Sequence, residues 1–166
     1  MKTNKWSTAA TSGLLLALIT IIIALVQAVI HPGKAVSLLL WVVKLTGSIY
    51  LLYYFIKEYS TSFDLFTYKD GFVYGTLVSI FSSLICACYL FLHYTVIFKE
   101  AIAEQIEYVL GILQNSNPQA VETFINMEGS LPQIITIVSL IYYTLFGVIA
   151  SAIIANSTKR GDLFTA

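Results

Sequence analysis

The chain has 166 residues, of which 58% are apolar and 11% charged, and its mean hydropathy is +0.82. A water-exposed globule of this length needs more polar surface, so the composition places much of the chain in lipid. Nine basic residues balance nine acidic ones, which removes any global electrostatic basis for binding nucleic acid.

Four apolar runs are long enough to cross a hydrocarbon core of about 30 Å as helices. They cover about 9–30, 36–56, 71–98 and 131–154. Each is expected to be helical because backbone groups in lipid must satisfy one another within the segment. The expected fold is therefore an all-α integral membrane protein. It is a single membrane domain over 1–166, with four transmembrane helices in a bundle and an external helical connection over 99–130.

The first run has a basic start in Lys2 and Lys5, and Val26-Gln27-Ala28 would suit a signal cleavage site. Its apolar stretch exceeds the roughly 7–15 residues of a signal peptide, so it reads as a retained span. His31-Pro32-Gly33 then makes a tight turn into the second span.

Lys44 is the one charged residue deep in a span, about 12 Å along the helix from Val36. A central lysine costs about 2.5–3.5 kcal/mol on insertion scales, and no Asp or Glu within the four spans pairs with it. Two readings stand. The side chain either snorkels toward the nearer interface or meets a lipid phosphate or anionic substrate in a cavity lined by Thr46, Ser48, Ser83 or Tyr89.

The loop after the second span interleaves Phe63, Phe66, Tyr68 and Phe72 with Asp64, Lys69 and Asp70, a pattern that belongs in the membrane interface. Trp6, Tyr53, Tyr54, Tyr59, Tyr89 and Tyr94 lie near span ends and read as interfacial anchors. The third span carries a row of small residues four apart: Gly71, Gly75, Ser79, Ser83 and Ala87. The fourth carries Gly147, Ser151 and Ala155, and the first Ala9, Gly13 and Ala17. Small residues at this spacing let helix backbones approach where lipid offers no hydrophobic drive. Their contact lies either within one bundle or along a homodimer seam.

The third span has no breaker at its end, so one helix is expected to continue to about Gln114. Along it Ile102, Ile106, Val109, Leu110 and Leu113 form an apolar stripe opposite Glu100, Glu104, Glu107 and Gln114. Asn117-Pro118 marks the start of a short second helix, and Ser130 with Gln133 forms a capping box before the last span. The connection lies on lipid headgroups or docks a partner.

Lys and Arg distribute six to two: Lys2, Lys5, Lys57, Lys69, Lys159 and Arg160 on one side, Lys34 and Lys99 on the other. Insertion responds to this count and puts both termini in the cytoplasm. The layout, together with Phe66-Thr67-Tyr68-Lys69-Asp70-Gly71-Phe72 and the acidic helical connection, resembles a family of small bacterial inner-membrane proteins defined as a domain of unknown function. The resemblance implies a neighbouring polyprenyl-phosphate glycosyltransferase as a candidate partner and carries over no catalytic residue.

Chemistry is sparse by comparison. His31, His93 and Glu100 are weak candidates for a metal, with no ligand spacing such as H-E-x-x-H. Cys86 and Cys88 diverge on their helix and read as small apolar residues. No glycine-rich phosphate cradle or hydrolytic triad is present, and no cofactor is expected. The expected function is a non-catalytic inner-membrane accessory or scaffolding subunit, partnered by an envelope enzyme or a second copy. The alternative is a small transporter or flippase for a lipid-linked anionic substrate.

Overall fold

The computed structural model describes residues 4–116 and 118–160. They form α1 (Lys5–Ile30), α2 (Lys34–Ser60), α3 (Tyr68–Leu92), a π-helical turn (His93–Ile97), α4 (Lys99–Ser116), α5 (Pro118–Met127), a 3-10 turn (Glu128–Ser130) and α6 (Leu131–Thr158). Four helical stretches are long and apolar enough to cross a membrane: Lys5–Ile30, Lys34–Ser60, Tyr68–Ile97 and Leu131–Thr158. The chain divides into two compact units, one of Met1–Cys86 with Leu140–Ala166 and the other of Ala87–Ser139.

The first unit is apolar on its outside, and it buries small polar residues beside its apolar core. Ser12, Ser79, Ser83 and Ser151 are buried, while Ile22, Leu38, Ile141 and Ile153 face outward. An apolar outside and small polar residues inside are what a hydrocarbon solvent selects, since leucine gains nothing by leaving lipid and a serine hydroxyl gains a partner. The structure is thus that of a multi-pass helical membrane protein.

Helix ends are set by local chemistry. Asn4 caps α1, its Oδ1 accepting from the Trp6 amide at 3.2 Å. At the other end His31 takes a left-handed conformation (φ 48°) and its N–H returns to the Gln27 carbonyl at 3.1 Å. Gly33 then opens α2, which packs back along α1. The start of α3 is a reciprocal cap. Thr67 donates to Asp70 Oδ2 from both its amide (3.1 Å) and its hydroxyl (2.6 Å), and the Asp70 amide donates to Thr67 Oγ1 at 3.3 Å. Just before it, Phe66 and Arg160 exchange backbone hydrogen bonds of 3.2 and 2.8 Å, tying the inter-helix loop to the end of α6.

α3 is the hub, with 39% of its apolar window buried against 6% for α2. One face of α3 meets α6 in antiparallel register. A Cβ added at Gly71 would lie 3.2 Å from Ala155 Cβ, one at Gly75 2.6 Å from Ser151 Oγ, and one at Gly147 would collide with Ser79. Ser83 extends the seam through a 2.8 Å hydrogen bond with Thr144. The adjacent face meets α1, where a Cβ at Gly13 would stand 2.6 Å from Phe81 Cβ and 2.8 Å from the Val78 carbonyl oxygen. The Tyr74 and Ser12 hydroxyls share a 3.1 Å hydrogen bond beside that contact.

At the end where α1 starts and α6 finishes, the core is tight and aromatic. Tyr59 stacks on Tyr74 with ring centroids 3.8 Å apart, and Phe66 packs edge-on against Tyr59. Leu52, Phe55, Ile56 and Ile154 complete the plug. Tyr59, expected as a headgroup anchor, is a buried core residue here because α3 offers it a parallel ring.

In the second unit the continuous helix expected through residue 98 is broken. His93–Ile97 closes as a π turn, the Phe98 amide bonding the His93 carbonyl at 2.8 Å, and Phe98 leaves helical geometry (φ −130°, ψ 63°) before α4 begins. The apolar stripe of α4, from Ile102 to Leu113, is half-buried, and Glu100, Glu107 and Gln114 are exposed. Pro118 opens α5, while the Asn117 cap lies outside the described residues. Ser130 uses its hydroxyl to donate to the Met127 carbonyl at 2.9 Å, closing the preceding turn in place of the expected box with Gln133.

Substituting Gly147→Ala should lower stability by about 1–3 kcal/mol through overpacking against Ser79. Gly111→Ala, where nothing lies within 4 Å, should leave stability unchanged or raise it by about 0.5–1 kcal/mol. Thermal unfolding of the two purified variants in detergent checks the contrast.

Candidate functional site: an intramembrane cavity at Lys44

Above the aromatic plug the first unit opens. The small side chains that bring α3 against α6, namely Ser79 and Gly147, leave unfilled volume where α2 contributes Lys44 and Ser48. The result is a cavity of about 110 Å³ with walls from all four long helices, spacious enough for several water-sized groups.

Helical spacing explains who faces it. On α2, Trp41, Lys44 and Ser48 lie three and four residues apart and share one face. On α3, Ser79, Ser82, Ser83 and Cys86 follow the same periodicity. Leu16 and Thr20 come from α1, and Tyr142, Phe146 and Ala150 from α6. Leu52 forms the floor toward the plug.

Among the described residues, Lys44 is the only charged one lining the cavity. The other polar side chains of the lining are, among the described residues, hydroxyls, a thiol and the Trp41 indole, and no carboxylate lines the cavity to neutralise the ammonium. Ser79 and Ser83 already donate to backbone carbonyls of their own helix, at 2.8 Å to Gly75 and 2.9 Å to Ile80. Cys86 approaches the Ala17 carbonyl at 4.0 Å, a weak thiol contact. While Lys44 is protonated, such a site attracts negative charge.

Of the four residues the sequence suggested around Lys44, Ser48 and Ser83 line the cavity. Thr46 is exposed on another face of α2, and Tyr89 belongs to the second unit, where its hydroxyl meets His93 Nδ1 at 3.0 Å. The His93 ring is buried among Tyr89, Tyr94 and Phe98. His31 sits exposed at the hairpin turn. Among the described residues no three of His, Cys, Asp and Glu are gathered as a metal ion would require. Cys86 is buried and Cys88 exposed, both as free thiols.

Gly71, Gly75, Ser79, Gly147 and Ser151 all lie in the seam between α3 and α6. Ser83 serves both seam and cavity, and Ala87 is buried in the second unit. Residues not anticipated at the site are Thr20, Trp41, Ser82 and Tyr142. The periodicity of residues 79, 82, 83 and 86 was a readable signal for the α3 wall. Nothing in α1 or α6 alone marks Thr20 or Tyr142.

Fold and cavity together define a multi-pass helical membrane protein with a largely apolar internal cavity that, among the described residues, holds one charged side chain and several hydroxyls. Residues 9–160 match the model of a family described as "Protein of unknown function (DUF4199)", and the chain belongs to that family. Comparison with the curated proteins and with the solved structures found no match.

Because the Lys44 charge is held away from bulk water, Lys44→Met should leave the fold intact. It should raise thermal stability in detergent by some part of the about 2.5–3.5 kcal/mol that a central lysine costs. A lower unfolding temperature would instead assign Lys44 a structural partner.

Proposed function

We propose that the protein is a small carrier of the bacterial cytoplasmic membrane that receives an anionic substrate at Lys44, as a transporter or flippase does. The observation that carries this reading is an ammonium with no carboxylate beside it among the described residues, in a cavity within the spanning helices that also holds several hydroxyls. An unneutralised lysine at this depth is costly, and an anionic ligand is what returns the cost. The apolar plug beside the cavity supports a binding site that is closed toward the end where α1 starts. Both termini lie in the cytoplasm in this reading, supported by the six-to-two distribution of Lys and Arg.

The expected experiment is direct. Wild-type protein purified in mild detergent, then denatured and extracted, should release an anionic compound, lipid or soluble, in near-stoichiometric amount. Lys44→Met protein of equal monodispersity should release clearly less, and the gap should widen with washing, because removing one close charge weakens binding about five-fold. Equal recovery from the two would reject the carrier.

A second reading follows from the other unit: an accessory or scaffolding subunit partnered by an envelope enzyme, a polyprenyl-phosphate glycosyltransferase among the candidates. Its support is the apolar surface that α4 and α5 leave outward, including Tyr108, Ile125 and Met127, on helices with acidic flanks. If this surface docks a partner, that partner should co-purify with the wild type from its native membrane. The double variant Tyr108→Asp with Ile125→Asp should lose it while retaining the fold. Retention of the partner by the double variant would place the docking surface elsewhere.

A further inference from the structure

Part of the cavity wall is also part of the outer surface. Trp41 and Ile49 on α2 line the cavity while remaining 47% and 39% exposed, and Tyr142 on α6 lines it while remaining 57% exposed. Residues that face the cavity and the outside together stand at its rim. All three belong to helices of membrane-spanning length: Trp41 and Ile49 lie within about two turns of Lys44 on α2, and Tyr142 lines the same cavity from α6. Toward the end where α1 starts, the way is closed by Leu52, Phe55, Ile56, Val78 and Ile154. In a helix of membrane-spanning length, an opening at this depth is one onto hydrocarbon, and lateral entry rests on this premise.

The chemistry of rim and interior then differs in a useful way. The rim is aromatic and aliphatic and suits a hydrocarbon chain. The interior offers an ammonium with three N–H donors beside Ser48 and Ser82, and it lacks an acceptor carboxylate. An amphiphile whose head carries several acceptor oxygens on one anionic centre fits both halves, and a phosphate fits better than a carboxylate because it presents more acceptors to a cluster of donors. Lys44 is ten residues into α2, about 15 Å from its start. A headgroup meeting it has left the headgroup layer and lies partway across the membrane.

We propose that the Lys44 cavity admits the phosphate headgroup of a net-anionic phosphomonoester lipid sideways, between Trp41, Ile49 and Tyr142, with the lipid chain remaining in the bilayer. This rests on the carrier reading and narrows its substrate from an anion of any origin to a phosphate borne by a lipid. The shared chemistry with free phosphate makes the source the point to be tested.

Trp41 and Trp6 are the two tryptophans of the chain, so Trp6→Phe leaves a single reporter at the rim. Full-length Trp6→Phe protein is reconstituted in phosphatidylcholine vesicles containing phosphatidic acid with brominated chains, which quench tryptophan on contact. Quenching should saturate at low mole fraction. The half-saturation point should rise about five-fold or more in Lys44→Met and return in Lys44→Arg, one close charge being the difference. Lys44→Gln replaces Lys44→Met if the latter is not monodisperse. Brominated phosphatidylcholine should quench all variants alike, and inorganic phosphate added from water should not relieve the quenching by phosphatidic acid. Relief by inorganic phosphate, dependent on Lys44, would overturn lateral lipid entry while leaving an anion carrier standing. Lys44-independent behaviour toward phosphatidic acid and inorganic phosphate alike would overturn both.

Discussion

Close approach of α3 and α6 is the constraint from which the rest of the first unit follows. Gly71 against Ala155, Gly75 against Ser151 and Ser79 against Gly147 leave no room for a side chain at either glycine of the inner pairs. In lipid, where apolar contact between helices gains little over contact with acyl chains, dense van der Waals packing has to supply the association, and small residues are what permit it. α3 can then serve two partners at once, because its next face receives Gly13 of α1. The hydroxyls along the seam turn back to helix carbonyls, as Ser79 does to Gly75 and Ser151 to Gly147, so polarity is buried without being left unpaired.

The same economy of side-chain volume that closes one end of the bundle opens its middle. Where α2 presents Phe55, Ile56 and Tyr59, their bulk fills the space beside the seam and the rings of Tyr59 and Tyr74 stack. Two to three turns earlier, α2 presents Lys44 and Ser48 to Ser79, Ser82 and Ser83, and the volume is not filled. A cavity and a core thus arise from one helix interface by a change in residue size along it. The functional reading depends on this contrast, since a charge at a dry, filled level would have no space for a ligand.

The family resemblance has a physical core in the segment from Phe66 to Gly71. Thr67 and Asp70 cap α3, Phe66 fills the plug and bonds Arg160 through its backbone, and Gly71 lets α6 pass close. A short motif that looks weak as a string thus sets the start of the hub helix, anchors the loop before it and begins the seam. Its Thr-x-x-Asp cap was readable from residue types, whereas the pairing of Phe66 with Arg160 joins residues 94 positions apart that share no local pattern.

Hydrophobic run length determined the four spanning helices, because a bilayer imposes one thickness on every segment that crosses it. Four-residue spacing likewise displayed the small-residue row, and the isolation of Lys44 was plain from the lack of any acid in the spans. Tertiary structure alone decided which helix met that row, that Tyr59 turned inward, and that Thr20, Trp41 and Tyr142 joined Lys44 around one space. It also decided the break at Phe98, where a π turn interrupts a stretch containing no glycine or proline. The reason is the same in each case. Periodicity along one helix fixes which residues share a face, but the identity of the opposing face depends on packing between segments distant in the chain.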